Sequence, residues 1–116
     1  MPLLRVQTNQ ALATAEAESD FLRAASQALS AMTGKPEGYC MVLLDTARPM
    51  VLGGSDEPTA FAELSSLGLP TEATAELASQ LCALLEEWLA VPPRRVYSHF
   101  ADVPRHLWGN NGTTFG

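Results

Sequence analysis

The sequence is poor in lysine, cysteine and histidine, and each shortage excludes a class of function. Its 116 residues include one lysine, two cysteines and two histidines, and the formal net charge is −6 at pH 7. A chain this acidic lacks the basic surface that nucleic-acid binding requires, and an anionic membrane would repel it. Two cysteines do not make a disulfide framework, so we expect Cys40 and Cys82 to be reduced, buried thiols.

Several sequence signals are also missing. No apolar run approaches the roughly 18 residues of a membrane span, and no basic leader with an apolar core precedes Pro2. We therefore expect a cytoplasmic protein without a membrane partner, although the sequence leaves unconventional secretion open. His99 and His106 do not have zinc-ligand spacing, and phosphate-loop and nucleophile-elbow motifs are absent. These patterns predict no metal and no cofactor, and they favour a turn at Gly53–Ser55 over an anion site.

Two stretches carry the apolar spacing of amphipathic helices. Apolar residues recur at positions 0, 4, 7, 8 and 11 within 21–32 and again within 77–88. Ser19 and Asp20 are the predicted start of the first helix, and Gly34 is its predicted end. Both stripes are expected to face the core, and the second is completed by its last residue, Trp88.

Strand-like stretches flank each predicted helix. They cover residues 3–9, 39–45, 59–67 and 95–100, and 50–52 form a possible short extra strand. The order strand, helix, strand occurs twice, in halves of about 2–52 and 53–116. A helix crossover joins strands that run in parallel. The sequence therefore predicts a single α+β domain over 1–116, in which two β-α-β repeats form a four-stranded mixed sheet with both helices on one face.

The second face of this sheet needs a cover. The stretch "YCMVLL" (39–44) is apolar at successive positions, a pattern typical of strands buried on both faces. Two helices can cover only one face, and monomers in solution avoid large exposed apolar patches. Self-association with cyclic symmetry would cover the other face. The pattern therefore predicts an oligomer.

Six short motifs extend from one end of the chain to the other in a specific order. They are "MPLLRVQTN" (1–9), "TGKP" (33–36), "GGSDEP" (53–58), "SSLG" (65–68), "RVY" (95–97) and "GNNGTTF" (109–115). In this order and spacing the sequence resembles the macrophage migration inhibitory factor family of the tautomerase superfamily. The resemblance implies a homotrimer in which Met1 is removed and Pro2 is the catalytic base. It also implies a cofactor-independent keto–enol tautomerase for small aromatic α-keto acids such as phenylpyruvate, with dopachrome as a further substrate.

The same resemblance assigns roles to other residues. Lys35 would hold the substrate carboxylate and lower the proton affinity of Pro2, and the backbone N–H of Leu67 would donate to the same carboxylate. Tyr97 would line the ring pocket from a neighbouring subunit. The apolar walls would come from Leu3, Tyr39, Trp108 and Phe115. A free α-amine has a pKa of roughly 7.7–8.0, and burial and a nearby cation both favour its neutral form, which a general base needs.

The sequence departs from the family pattern at three places. His99, a predicted substrate contact, replaces the usual asparagine, and both side chains can donate a hydrogen bond. Trp108 stands two positions before the usual tryptophan position, which Asn110 occupies. Residues 59–62 lack the C-x-x-C motif of some relatives, so thiol–disulfide exchange is not expected.

Two alternatives to the enzyme remain open. The chain could be a cytokine-like signalling or interaction protein with an incidental tautomerase pocket, or an α+β ligand-binding module without catalysis. The enzyme reading also has a chemical condition. If Met1 stays attached, the Pro2 nitrogen is a tertiary amide without a basic lone pair.

Overall fold

Four strands form one mixed sheet in the order β2-β1-β3-β4. The computed structural model describes residues 1–116, and the strands are β1 (Pro2–Thr8), β2 (Met41–Asp45), β3 (Ala60–Leu67) and β4 (Val96–Val103). Helix α1 (Ala15–Thr33) joins β1 to its parallel neighbour β2, and α2 (Thr74–Leu89) joins β3 to its parallel neighbour β4. The halves meet where β1 and β3 pair in antiparallel fashion. The structure confirms the two β-α-β units and the mixed sheet.

Both helices pack on the same face of the sheet, and the hydrophobic core lies between the helix layer and the sheet. The buried residues of this layer are Leu4, Val6, Ala62 and Leu64 from the sheet and Phe21, Ala25, Leu29, Leu77, Leu81 and Leu85 from the helices. Trp88 packs against this core, with its ring edge-on to Phe21 at a centroid distance of 6.5 Å. Burying each leucine contributes about 1.5–3 kcal/mol, so the two predicted stripes supply much of the hydrophobic stabilisation.

Helix α1 begins earlier than predicted. Its N-cap is Thr14, whose Oγ1 accepts a hydrogen bond from the Ala17 N–H at 3.0 Å, so Ser19 and Asp20 lie inside the helix. The prediction was wrong because it placed the helix start at the first residue of the apolar stripe, Phe21. The helix residues before Phe21 bury no side chain, and their helical conformation comes from helix propensity and the N-cap. The other end is as predicted, since Gly34 adopts the left-handed conformation with φ 69°.

Three other expectations need correction. Strand β2 begins at Met41, because Glu37–Tyr39 form a 3₁₀ turn. Residues 50–52 form no extended strand, and only an isolated bridge joins Leu52 to Ser55 around the predicted turn. The two thiols are partly buried, not fully buried.

Neither helix has the length and apolarity that spanning a membrane requires.

The chain ends in a small hairpin that the sequence reading did not include. Strands β5 (Gly109–Asn110) and β6 (Thr113–Thr114) pair in antiparallel fashion around Asn111 and Gly112, which have φ of 52° and 80°. Positive φ at both central residues is typical of a type I′ turn, and Asn-Gly is its preferred sequence. The hairpin follows Trp108 and thereby fixes one wall of the cleft described below.

The face of the sheet opposite the helices is open in the single chain. Met41, Leu43 and Tyr97 are 59%, 47% and 66% exposed there. These side chains alternate with partly buried ones along their strands, as the period of two requires. The apolar pattern of β2 thus has a covered side and an uncovered side within one chain.

The correction to α1 gives a matched test. Replacing Thr14 by Ala removes the hydrogen bond to the Ala17 N–H and should lower the free energy of unfolding by about 1 kcal/mol. Replacing Ser19 by Ala, at an exposed position inside the helix, should leave it unchanged or slightly higher. Urea unfolding of both variants at one protein concentration measures the difference, and equal losses would contradict the assigned N-cap.

Candidate active site

The start of the chain lies inside the sheet. Pro2 is the first residue of β1, which pairs with β3 on one side and β2 on the other. A proline cannot donate to a strand ladder, so in a central strand it is tolerated at the first position. Pro2 pairs with Ser66 and is fully buried. The pairing of β1 on both sides holds the Pro2 backbone in one place.

A cleft of about 580 Å³ opens at this end of the sheet. Its main side-chain walls are Leu3, Tyr39, Cys40, Met41, Leu107 and Trp108, beside Met1 and Pro2. None of the lining side chains is charged at pH 7, and most are apolar. The predicted residues Pro2, Leu3, Tyr39 and Trp108 therefore come together. Such a cleft suits a flat apolar ligand.

The α-amine of Met1 lies at the mouth of this cleft. Its pKa is lowered, first by burial and then by the positive charge of Lys35, while Cys40 acts weakly in the opposite direction. Both main causes disfavour the protonated amine. An amine at this position is therefore easier to deprotonate than an ordinary chain terminus.

The end of helix α1 positions Lys35. Gly34 turns the chain out of the helix in the left-handed conformation, and the Lys35 carbonyl accepts a hydrogen bond from Ser30 Oγ at 2.6 Å. Lys35 is half-buried, and it stands where the helix dipole favours a cation. This anchoring keeps a positive charge beside the cleft although the chain is acidic.

Cys40 is the one thiol in the cleft. Burial, assisted by the charge of Glu37, raises the pKa of this thiol. Its Sγ donates a hydrogen bond to the Pro36 carbonyl at 3.6 Å. Because a thiolate is the nucleophilic form, the site offers Cys40 as an apolar wall and not as a nucleophile.

Like Lys35, two further predicted residues lie outside the lining. Leu67 ends β3 and is followed by a turn at Gly68, after which the Leu69 N–H donates to Asp102 Oδ1 at 3.0 Å. Phe115 is attached to the cleft wall through a hydrogen bond from its N–H to the Trp108 carbonyl at 3.3 Å. Both residues are at the cleft end of the sheet without lining the cleft itself.

The single chain places Tyr97 away from Pro2. Tyr97 is in register with Phe61, which pairs with Gln7, five residues along β1 from Pro2. At about 3.3 Å per residue, this separates them by about 17 Å along the strands. A site that contains both residues therefore requires a second copy of the chain.

His99 is also outside the cleft, and it belongs to a polar row across the open face. Glu63 Oε2 lies 3.2 Å from His99 Nδ1, and Glu63 Oε1 accepts from Arg5 Nη2 at 2.9 Å. The carboxylate favours the tautomer with a proton on Nδ1, which leaves Nε2 free to accept a hydrogen bond. The side chain of His99 is 63% exposed.

Several lining residues were not expected from the sequence. Met41 lies beside Leu3 because the parallel register pairs these two positions on one face. Leu107 belongs to a 3₁₀ turn that follows Pro104. The parallel pairing of β1 and β2 was the available signal for Met41, whereas the fold of residues 104–110 has no periodic pattern from which Leu107 could be placed.

Comparison with known proteins agrees with this geometry. The family model for macrophage migration inhibitory factor matches residues 1–116. A macrophage migration inhibitory factor homolog of Trichuris trichiura is 33% identical over 99% of this chain and 100% of its own length, and the Mus musculus factor is 33% identical over 99% of both chains. The crystal structure of the homologue from Prochlorococcus marinus superposes with a TM-score of 0.89 at 40% identity, covering 98% of this chain and 99% of that one.

The electrostatics of the amine can be tested directly in the chain that retains Met1. Replacing Lys35 by Ala should raise the pKa of the α-amine toward the ordinary value near 8, because a cation that opposes protonation is lost. Replacing Arg23, an exposed cation farther back on α1, changes the net charge equally and should leave this pKa in place. The measurement is the pH dependence of amine labelling at residue 1 by peptide mass spectrometry. An equal shift in both variants would remove Lys35 as a specific cause.

Proposed function

Because the chain belongs to the macrophage migration inhibitory factor family of the tautomerase superfamily, we propose that it is a keto–enol tautomerase for small aromatic α-keto acids of the phenylpyruvate type. The observation that carries the proposal is the α-amine in an apolar cleft, with its pKa lowered by burial and by Lys35. Removal of Met1 would transfer the free amine to Pro2, one residue deeper, whose side chain is fully buried. The same two causes then act on a secondary amine.

The reaction needs one base and no cofactor. The neutral Pro2 nitrogen takes a proton from the carbon next to the keto group, and the C–H electron pair becomes the C=C bond of the enol. The protonated Pro2 then gives its proton to the keto oxygen as the C=O double bond becomes a single bond, which forms the enol hydroxyl and returns Pro2 to its neutral state. In the reverse direction, Pro2 takes the enol hydroxyl proton and gives a proton back to the carbon. Such proton transfer by a positioned group contributes typically 10²–10⁴-fold to the rate.

Charge and shape of the cleft determine how the substrate lies. The Lys35 ammonium would bind the substrate carboxylate, which the Leu67 N–H would also contact, and this would hold the keto group near Pro2. The ring would then lie against the apolar side chains of the cleft, among them Leu3 and Tyr39.

We further propose that the active form is a homotrimer in which Tyr97 and His99 reach the cleft of a neighbouring copy. Exposed apolar side chains stand at both ends of the sheet: Tyr39 and Leu107 at the cleft, and Val51 and Tyr97 at the opposite end. Two different patches on one chain favour head-to-tail contacts, which close into a ring when the rotation permits. This arrangement would also cover the open face of the sheet.

The role of the Pro2 nitrogen predicts a strict dependence on the chain terminus. With phenylpyruvate followed by enol absorbance, the chain without Met1 should be active. The chain that keeps Met1, identified by intact mass, should lose about 10²–10⁴-fold in kcat/KM. Pro2→Gly, which replaces a rigid secondary amine by a flexible primary amine, should lose about 10²-fold.

The pH profile adds a check with a definite sign. The base works unprotonated, so kcat/KM should fall as the pH drops through the pKa of the Pro2 amine, below the ordinary value. Lys35→Ala should move this acid limb to higher pH, whereas Arg23→Ala should not. Equal activity with and without Met1 would exclude Pro2 as the base.

The shared site predicts complementation between two defective chains. Pro2→Gly chains keep Tyr97, and Tyr97→Ala chains keep Pro2. When the two are mixed and reassembled in equal amounts, about a quarter of the sites in a ring should combine both native residues. These sites should restore a component with the KM of the native protein. No such component, in assemblies shown to be mixed by native mass spectrometry, would place Tyr97 outside the neighbour's site.

A further inference from the structure

The end of the sheet opposite the cleft contains a buried positive charge. Arg95, the residue just before β4, is 9% exposed, and its guanidinium forms no ion pair. Burying a charge without an ionic partner is costly unless its donors are satisfied by hydrogen bonds. Acceptors near Arg95 must therefore satisfy the donors of its guanidinium.

All hydrogen bonds of the Arg95 side chain are to the connector between the two halves. Nε donates to the Pro58 carbonyl at 3.0 Å and Nη1 to the Leu52 carbonyl at 3.1 Å; Nη2 donates to the Ser55 carbonyl at 2.9 Å, the Glu57 carbonyl at 3.2 Å and Thr59 Oγ1 at 2.7 Å. The planar guanidinium can serve diverging acceptors in this way, whereas a lysine ammonium has only three donors at one point. One side chain thus sets the path of residues 52–59.

This connector and Tyr97 form one surface. Leu52, Gly53 and Ser55 line a small cavity with Tyr97 and with the two arginines at positions 94 and 95. Val51 stands directly before the connector and is 68% exposed. We call residues 51–55, which are exposed or partly exposed, together with Tyr97 the donor surface.

We propose that Arg95 is a positioning residue: its buried guanidinium shapes the donor surface that one copy of the chain presents to the cleft of the next. The inference rests on the proposed function, because it takes the second copy as the partner of this surface. The partner chemistry is complementary, since the donor surface is apolar at Val51 and Tyr97 and the cleft is uncharged and mostly apolar. Holding the connector in advance lowers the entropy that association would otherwise cost.

The adjacent arginine provides the control. Arg94 lines the same cavity but is exposed, and its side chain makes no hydrogen bond or ion pair within the chain, so it does not hold the connector. Arg95→Lys keeps the charge and loses the diverging donors, and Arg94→Lys is the same chemical change without those contacts. Thr59→Val, which removes one acceptor of Arg95, is a milder second variant in case Arg95→Lys folds poorly.

Self-association and catalysis give two independent measurements. Sedimentation at a series of concentrations should show at least a tenfold higher dissociation concentration for Arg95→Lys than for Arg94→Lys. Thr59→Val should change in the same direction by less. In the assay with phenylpyruvate, Arg95→Lys should raise KM by about tenfold with a smaller change in kcat. The acid limb of its kcat/KM pH profile should stay at the same pH, because the substitution leaves the Pro2 end of the sheet unchanged.

Mixing separates positioning from general damage. Arg95→Lys chains mixed with Pro2→Gly chains should regain a component with native KM, because the Pro2→Gly chain donates an intact surface. If both lysine variants associate and bind alike, or if the mixture gains no such component, the Arg95 proposal is overturned while the Pro2 result stands. If instead Met1 removal has no effect on activity, the proposed function fails, and the sedimentation series still decides the role of Arg95.

Discussion

The pairing of β1 on both of its edges is the constraint on which the site depends. A chain terminus usually frays, but here the first strand lies between β2 and β3, so that residue 2 is fixed by the ladder that follows it. A proline fits this position because it has no N–H to leave unsatisfied. The position of the amine is therefore a result of the sheet order. Precision of this kind matters for a base, because proton transfer depends on the reacting atoms being held in a narrow geometry.

The same burial determines the charge of the amine. An apolar cleft disfavours the protonated form, and the end of α1 adds a cation at Lys35 that disfavours it further. The position of that cation depends in turn on Gly34, whose left-handed conformation turns the chain toward the cleft. Two local features of the sequence, a helix stop and the start of a central strand, thus combine to lower the pKa of the α-amine. Neither feature would perturb the amine in this way on its own.

Much of the fold could be predicted because burial imposes a period on the sequence. The apolar stripes around Phe21 and Leu81 identified both helices, and the repeated order of elements gave the parallel pairs. The start of α1 at Thr14 could not be read from the stripe, since capping and propensity extend the helix beyond its buried face. For the site, the neighbours of Pro2 along β1 and β2 followed from the strand pairing. The distance of Tyr97 from Pro2 did not, because it depends on the register of four strands taken together.

The separation of Tyr97 from the cleft is compatible with the proposal that one end of this small sheet is catalytic and the other takes part in assembly. Along β1 the two ends are about 17 Å apart, so a chain cannot fill its own cleft with its own donor surface. A ring of copies can, and each copy then contributes a different end to two neighbours. In that arrangement the shape of the connector matters to a site in another subunit. The buried guanidinium donates hydrogen bonds to five acceptors in the connector. In the proposed ring these bonds would serve assembly as well as folding, because the hydrophobic core of the same chain contains none of residues 51–58.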